Sequence, residues 1–132
     1  RWKHANFPLK IWENYFGGDL KLEKYIHLYE VNRNGSLNKK VSTKIVKVKS
    51  QNYRVELGAV AGINYPDSVR PIGIFKKISQ SEFRYHIFMP DDPMHPNLLG
   101  YLNIRGKGYA TSLKGALVFL NQLESLWPDC PV

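Results

Sequence analysis

Pro66-Asp67 and Pro90-Asp91 are the two steps from which this chain could build a metal-dependent phosphodiester site. Such a site needs carboxylates to hold Mg²⁺ and a lysine beside them, in the order Asp/Glu-x-Lys. No Asp-x-Lys or Glu-x-Lys follows either step, and Pro and Asp together favour a turn. A metal-free phosphodiesterase would instead use a histidine nucleophile, with a lysine two residues on to neutralise the phosphate. His4, His27, His86 and His95 have Asn6, Tyr29, Phe88 and Asn97 at that position, so none fits. The four histidines are scattered, and Cys130 is the single cysteine, which leaves no zinc set. His27 and His86 fall in strand patterns, where a hydrogen-bonded structural role suits them. No Gly-x-x-x-x-Gly-Lys phosphate loop occurs. The expectation is a chain without catalytic residues, metal or cofactor.

The charge is more informative. The chain has 132 residues and a formal net charge of +8, with a pI near 9.6. That surplus on one small domain points to a polyanionic partner. Between Glu30 and Glu56 there is no acidic residue, while Arg33, Lys39, Lys40, Lys44, Lys47, Lys49 and Arg54 all fall in that span. An unbroken run of one sign repels itself unless a partner such as a row of phosphates compensates it. A second basic point is Asn103-Ile-Arg105-Gly-Lys107-Gly108, read as a strand-ending turn whose glycines allow close backbone approach. At the N-terminus Arg1, Lys3, His4 and Asn6 supply side-chain types that pair with base edges, beside Trp2.

The elements that must position these residues read mostly as strands. Residues 1–6 have no period and read as an arm. Leu9, Trp12 and Phe16 share a helical face that Gly17-Gly18 stops. Strands are expected at Tyr25–Val31, Lys44–Val48, Tyr53–Leu57, Ile72–Ile78, Phe83–Met89 and Tyr101–Ile104, with a turn at Asn32–Gly35 and a loop over 58–70. Leu113, Ala116, Leu117, Leu120 and Leu123 predict an amphipathic helix capped by Thr111 or Ser112 and ended by Pro128. Apolar residues make up 43% of the chain, enough for one folded domain over 1–132. No apolar run is long enough to span a bilayer, so no membrane partner is expected. A single cysteine suits a reducing, cytoplasmic setting. The start at Arg1 rather than Met suggests a fragment of something larger.

Three segments taken in order carry a resemblance: Arg70-Pro-Ile-Gly-Ile-Phe-Lys-Lys-Ile-Ser, Phe83-Arg-Tyr-His-Ile-Phe-Met-Pro, and Tyr101-Leu-Asn-Ile-Arg-Gly-Lys-Gly-Tyr. They resemble the B3-like DNA-recognition or effector domains of restriction endonucleases such as BfiI and EcoRII. The likeness is clearest over residues 70–111 and weaker from Phe7 to Leu57. It implies a mainly β, α+β fold: an open β-pseudobarrel of about seven strands with two short helices, of the plant B3-like kind. It also implies two arms that embrace a duplex and read the major groove. One arm falls at Arg1–Asn6. The other falls within Gly58–Asp67, where Asn64 and Tyr65 are candidates, although this segment is shorter than in the family. Arg54 and the Arg105/Lys107 pair match basic positions that face DNA. Arg33 and Asn34 sit in a turn that is more strongly basic in the relative.

The expectation is sequence-specific binding of double-stranded DNA by a non-catalytic module in a bacterial cytoplasm. Its other partner would be the catalytic nuclease domain of the same enzyme, a type II restriction endonuclease. Lys39, Lys40, Lys44, Lys47 and Lys107 would neutralise phosphates, and the arm residues with Arg54 would read bases. The alternative is a single-stranded DNA or RNA module that stacks bases on Trp2, Tyr53 and Tyr65.

Overall fold

The computed structural model describes residues 4–7, 9–17, 24–38, 40–47, 53–56, 69–109, 113–126 and 132. Its elements run β1 (His4–Phe7), α1 (Leu9–Asn14), β2 (Lys24–Glu30), β3 (Val41–Lys47), β4 (Tyr53–Glu56), β5 (Ile72–Lys77), β6 (Glu82–Phe88), α2 (His95–Arg105), β7 (Lys107–Tyr109), β8 (Leu113–Gly115) and α3 (Leu120–Leu126). The fold is α+β and mainly β. Six strands form one mixed sheet in the order β1-β4-β3-β2-β6-β5, and β7 and β8 form a separate two-stranded ribbon. Among the described strands only β2 and β6 run parallel, with Leu28 opposite Phe83 and Glu30 opposite Tyr85.

One helix fills the inside of this sheet. Trp12 and Phe16, four apart on α1 and the turn after it, are buried to 2% and 0% exposure. Gly17, at φ 73°, then turns the chain away, the left-handed stop expected after a helix. Phe16 packs on Phe83 of β6 at 5.0 Å between ring centroids, on Phe75 of β5 at 5.7 Å and on Phe7 of β1 at 4.7 Å. Phe7 and Phe75 also meet edge to face at 5.4 Å. β1 and β5 are the two ends of the sheet order, so the sheet curls until its edges touch through side chains. Ile26, Leu28 and Tyr85 complete this core.

The outer face of β5 and β6 has its own cover. Phe88 is fully buried against Leu98 of α2, with Ile72, Ile74 and Met94 around them. The alternation in β6 therefore serves two cores, with Phe83 and Tyr85 facing α1 and Phe88 facing α2. Buried His86 donates from Nδ1 to the Val31 carbonyl at 2.5 Å, and buried His95 donates from Nε2 to the Arg70 carbonyl at 2.8 Å.

Several expectations hold. The β5–β6 pair, the strand β2 and the helix at Trp12 lie where periodicity puts them, and β3 pairs with β4 but begins at Val41, three residues before the expected Lys44. Pro90-Asp91 lies in a turn, with the Asp92 amide bonded to the Met89 carbonyl. Others are corrected. Tyr101–Ile104 is helical, because Pro96 sits in the first turn of α2, where proline is tolerated. Leu98, Tyr101, Leu102 and Arg105 then recur with helical spacing. The helix expected from Thr111 or Ser112 is instead β8 followed by the shorter α3. The start of α3 is set by Gln122, whose Oε1 accepts the Phe119 amide. His4–Asn6 belong to a paired strand rather than a free arm, since β1 hydrogen-bonds along β4. The described residues hold eight strands and three helices, not about seven and two. Among them, no helix is long and apolar enough to cross a membrane.

Candidate nucleic-acid interface

The basic span begins in the turn between β2 and β3, which is built from its own side chains. Gly35, at φ 84°, donates its amide to the Asn32 carbonyl at 2.9 Å. Asn34 Oδ1 accepts both the Ser36 amide, at 3.0 Å, and the Ser36 hydroxyl, at 2.6 Å. Asn32 Nδ2 reaches Ser36 Oγ and Asn38 Oδ1, and Asn38 Nδ2 in turn reaches Glu30 Oε1. The Asn34 oxygen thus holds the turn. Arg33 forms an ion pair with Asp92, whose side chain is 8% exposed, yet Arg33 itself remains 56% exposed. The pair ties the β2–β3 turn to the turn before α2.

Beyond the turn, the strands set rows of backbone partners. Asn6 pairs with Arg54, and Arg54 with Val46, in one row; Phe7, Tyr53 and Lys47 form the next. His4 pairs with Glu56. Lys44 stands opposite Tyr25. The sheet therefore brings His4, Asn6, Arg54, Lys44 and Lys47 to the β1–β4–β3 end, and Lys40 is exposed just before β3. Arg105 and Lys107 are not part of this sheet. Arg105 is exposed in the last turn of α2, and Lys107 begins β7. Gly106 caps α2, and a Cβ there would run into the Leu102 carbonyl. Helix termination, rather than approach of a partner, accounts for this glycine. Arg1, Trp2, Lys3, Lys39, Asn64 and Tyr65 lie outside the described residues, as do Pro66-Asp67 and most of the 58–70 loop.

Three further polar or aromatic residues lie on neighbouring strands, Tyr25, Arg84 and His27, the last read from sequence only as a structural histidine. Tyr25 is 55% exposed and shares a row with Lys44, an aromatic face beside a cation position. The alternation of Tyr25 with buried Ile26 could have found it. Arg84 is the register partner of both Tyr29 and Lys76, so two cations and a tyrosine occupy one row across β2, β6 and β5. Arg84 Nε is buried, with no hydrogen-bond partner among the described residues. His27, on the same face, has Nδ1 3.0 Å from Ser42 Oγ. Among the described residues, no group of three or more His, Cys, Asp or Glu gathers as a metal site.

No protein-family model matches this chain, and no curated protein matches it. Among solved structures it is similar to the N-terminal domain of Helicobacter pylori LlaJI.R1, a restriction-related protein. The TM-score is 0.50 at 16% sequence identity, over 77% of this chain and 82% of that one. At that identity the likeness is one of fold.

Proposed function

We propose that this chain is a sequence-specific duplex-DNA-binding module, the target-recognition or effector domain of a bacterial restriction endonuclease, with cleavage left to a separate nuclease domain. The observation that carries this reading is the acid-free span from Glu30 to Glu56 with its seven cations, of which the described ones, Arg33, Lys40, Lys44, Lys47 and Arg54, follow the β2–β3 turn, β3 and β4. Phosphates along a duplex compensate such a surface and release counterions as they bind. The curled sheet, whose described edges meet at Phe7 and Phe75 through side chains, fits an open B3-like pseudobarrel. Fold likeness to a domain of a restriction-related protein supports the same setting.

In this reading Lys39, Lys40, Lys44, Lys47 and Lys107 hold phosphates and set the pose. Arg1, Lys3, His4, Asn6, Arg54, Asn64 and Tyr65 approach base edges in the major groove. Trp2, Arg33 and Asn34 flank them. The test is selection from a random duplex library, with sequencing of the bound fraction and competition by single strands. One enriched motif, with duplex displacing single strand, is the expected result. Unenriched sequence, or preference for the single strand, would contradict it.

A further inference from the structure

A cleft of about 440 Å³ lies between the end of α2 and the start of α3, lined by Tyr101, Arg105, Asn121, Gln122 and Ser125. Tyr101 and Arg105 are four apart on α2, and Asn121 and Ser125 are four apart on α3, so each pair shares a helical face. The two side-chain amides are oriented by backbone amides at the start of α3. Asn121 Oδ1 accepts the Gln122 amide at 2.9 Å, and Gln122 Oε1 accepts the Phe119 amide at 3.2 Å. Each oxygen is held by a backbone amide, which leaves the NH₂ group as the donor that each side chain can offer. Arg105 adds a guanidinium with no ion pair among the described residues, and Tyr101 and Ser125 add hydroxyls. No described carboxylate lines the cleft; Glu124, beside Ser125, is not part of it.

A concave site of donors around one cation selects an anion with several acceptor oxygens, and guanidinium matches a phosphate bidentately. We propose that this cleft binds a phosphate group, with Arg105 as its charge and Asn121 and Gln122 as fixed donors. The DNA backbone and a free phosphate are the two sources. The first rests on the duplex-binding reading above and adds α3, which carries none of the expected basic residues. The second stands without it.

Three substitutions separate these cases. Asn121→Asp and Gln122→Glu keep the oxygen that accepts the backbone amide but replace the donor with an anion. Arg105→Gln removes the charge from an exposed position. The chain is titrated with the selected duplex and, separately, with inorganic phosphate, while the Asn121 and Gln122 NH₂ signals are followed by NMR. Both signals should move with duplex. Each variant should bind it roughly tenfold more weakly, with the salt slope reduced by about 0.9. Movement with duplex alone marks a phosphodiester held in its strand, and movement with both marks a phosphate site of either source. If duplex binds but the signals stay fixed and the variants match the parent, the cleft proposal is overturned and the duplex reading stands. If duplex does not bind, movement with phosphate that disappears in Asn121→Asp upholds the cleft alone. No movement with either ligand overturns it.

Discussion

The ring of Phe7, on the first strand of the sheet, stands 5.4 Å from the ring of Phe75, on the last, at an interplanar angle of 81°. Among the described residues, strand pairing does not join these two edges, and aromatic contact holds the curl. Phe7→Ala should cost about 3 kcal/mol, the low end for a core phenylalanine because Phe7 is only half-buried. In a double-mutant cycle with Phe75→Ala, denaturant melts should give a coupling of about 0.5–1.5 kcal/mol. Additive losses would mean that the edges are held by other means.

Tyr15 reports on the same core. Its hydroxyl donates to the Phe75 carbonyl at 2.7 Å, and burial raises its pKa above the ordinary tyrosine value, against a smaller lowering by a backbone hydrogen bond from Lys77. Above pH 10 or so the unfolded phenol ionises first, so the folded state binds more protons. Stability is therefore undiminished below that pH and falls as pH rises through the folded pKa. Tyr15→Phe should lose about 1 kcal/mol at neutral pH. Melts repeated between pH 9 and 11 should then show a smaller alkaline loss than in the parent.

How far the sequence led depended on whether periodicity or end chemistry decided an element. Phe83, Tyr85 and Ile87 alternate so regularly that β6 and its inner face are legible, and Gly17 marks the end of α1. α2 was missed because Pro96 reads as a breaker unless the helix is known to start there. The acid-free span was legible as charge. Its division between a turn, β3 and β4 depends on register, which residue types alone do not fix. The pairing of Arg33 with Asp92, 59 positions apart in the chain, has no local signal at all.

That ion pair makes a stability prediction with an internal order. Asp92 also accepts the Met94 amide at 2.9 Å, so it braces the chain before α2 as well as holding Arg33. Asp92→Ala should destabilise by about 1–2 kcal/mol. Arg33→Ala should cost less, about 0.5 kcal/mol, because the guanidinium is largely solvated. The reverse order in thermal melts would contradict this division.

The two turn glycines should respond differently to alanine. Gly35 has φ 84° and open space where a Cβ would stand, so Gly35→Ala costs only backbone strain, about 1–2 kcal/mol. Gly35→Asn should recover part of it. Gly106 has ordinary φ but a backbone carbonyl in the way, so Gly106→Ala must shift the end of α2. Its effect should appear in amide exchange of the last turn of α2 as well as in the melting midpoint.

Salt dependence tests the electrostatic reading most directly. Binding constants for the selected duplex are measured from 50 to 200 mM salt for the parent and for a Lys40→Ala, Lys44→Ala, Lys47→Ala variant. The logarithmic slope should shrink by about 0.9 for each phosphate that the variant no longer neutralises, with equal weakening on scrambled duplex. A folded variant that keeps the parent's slope and affinity would show that these lysines do not hold DNA.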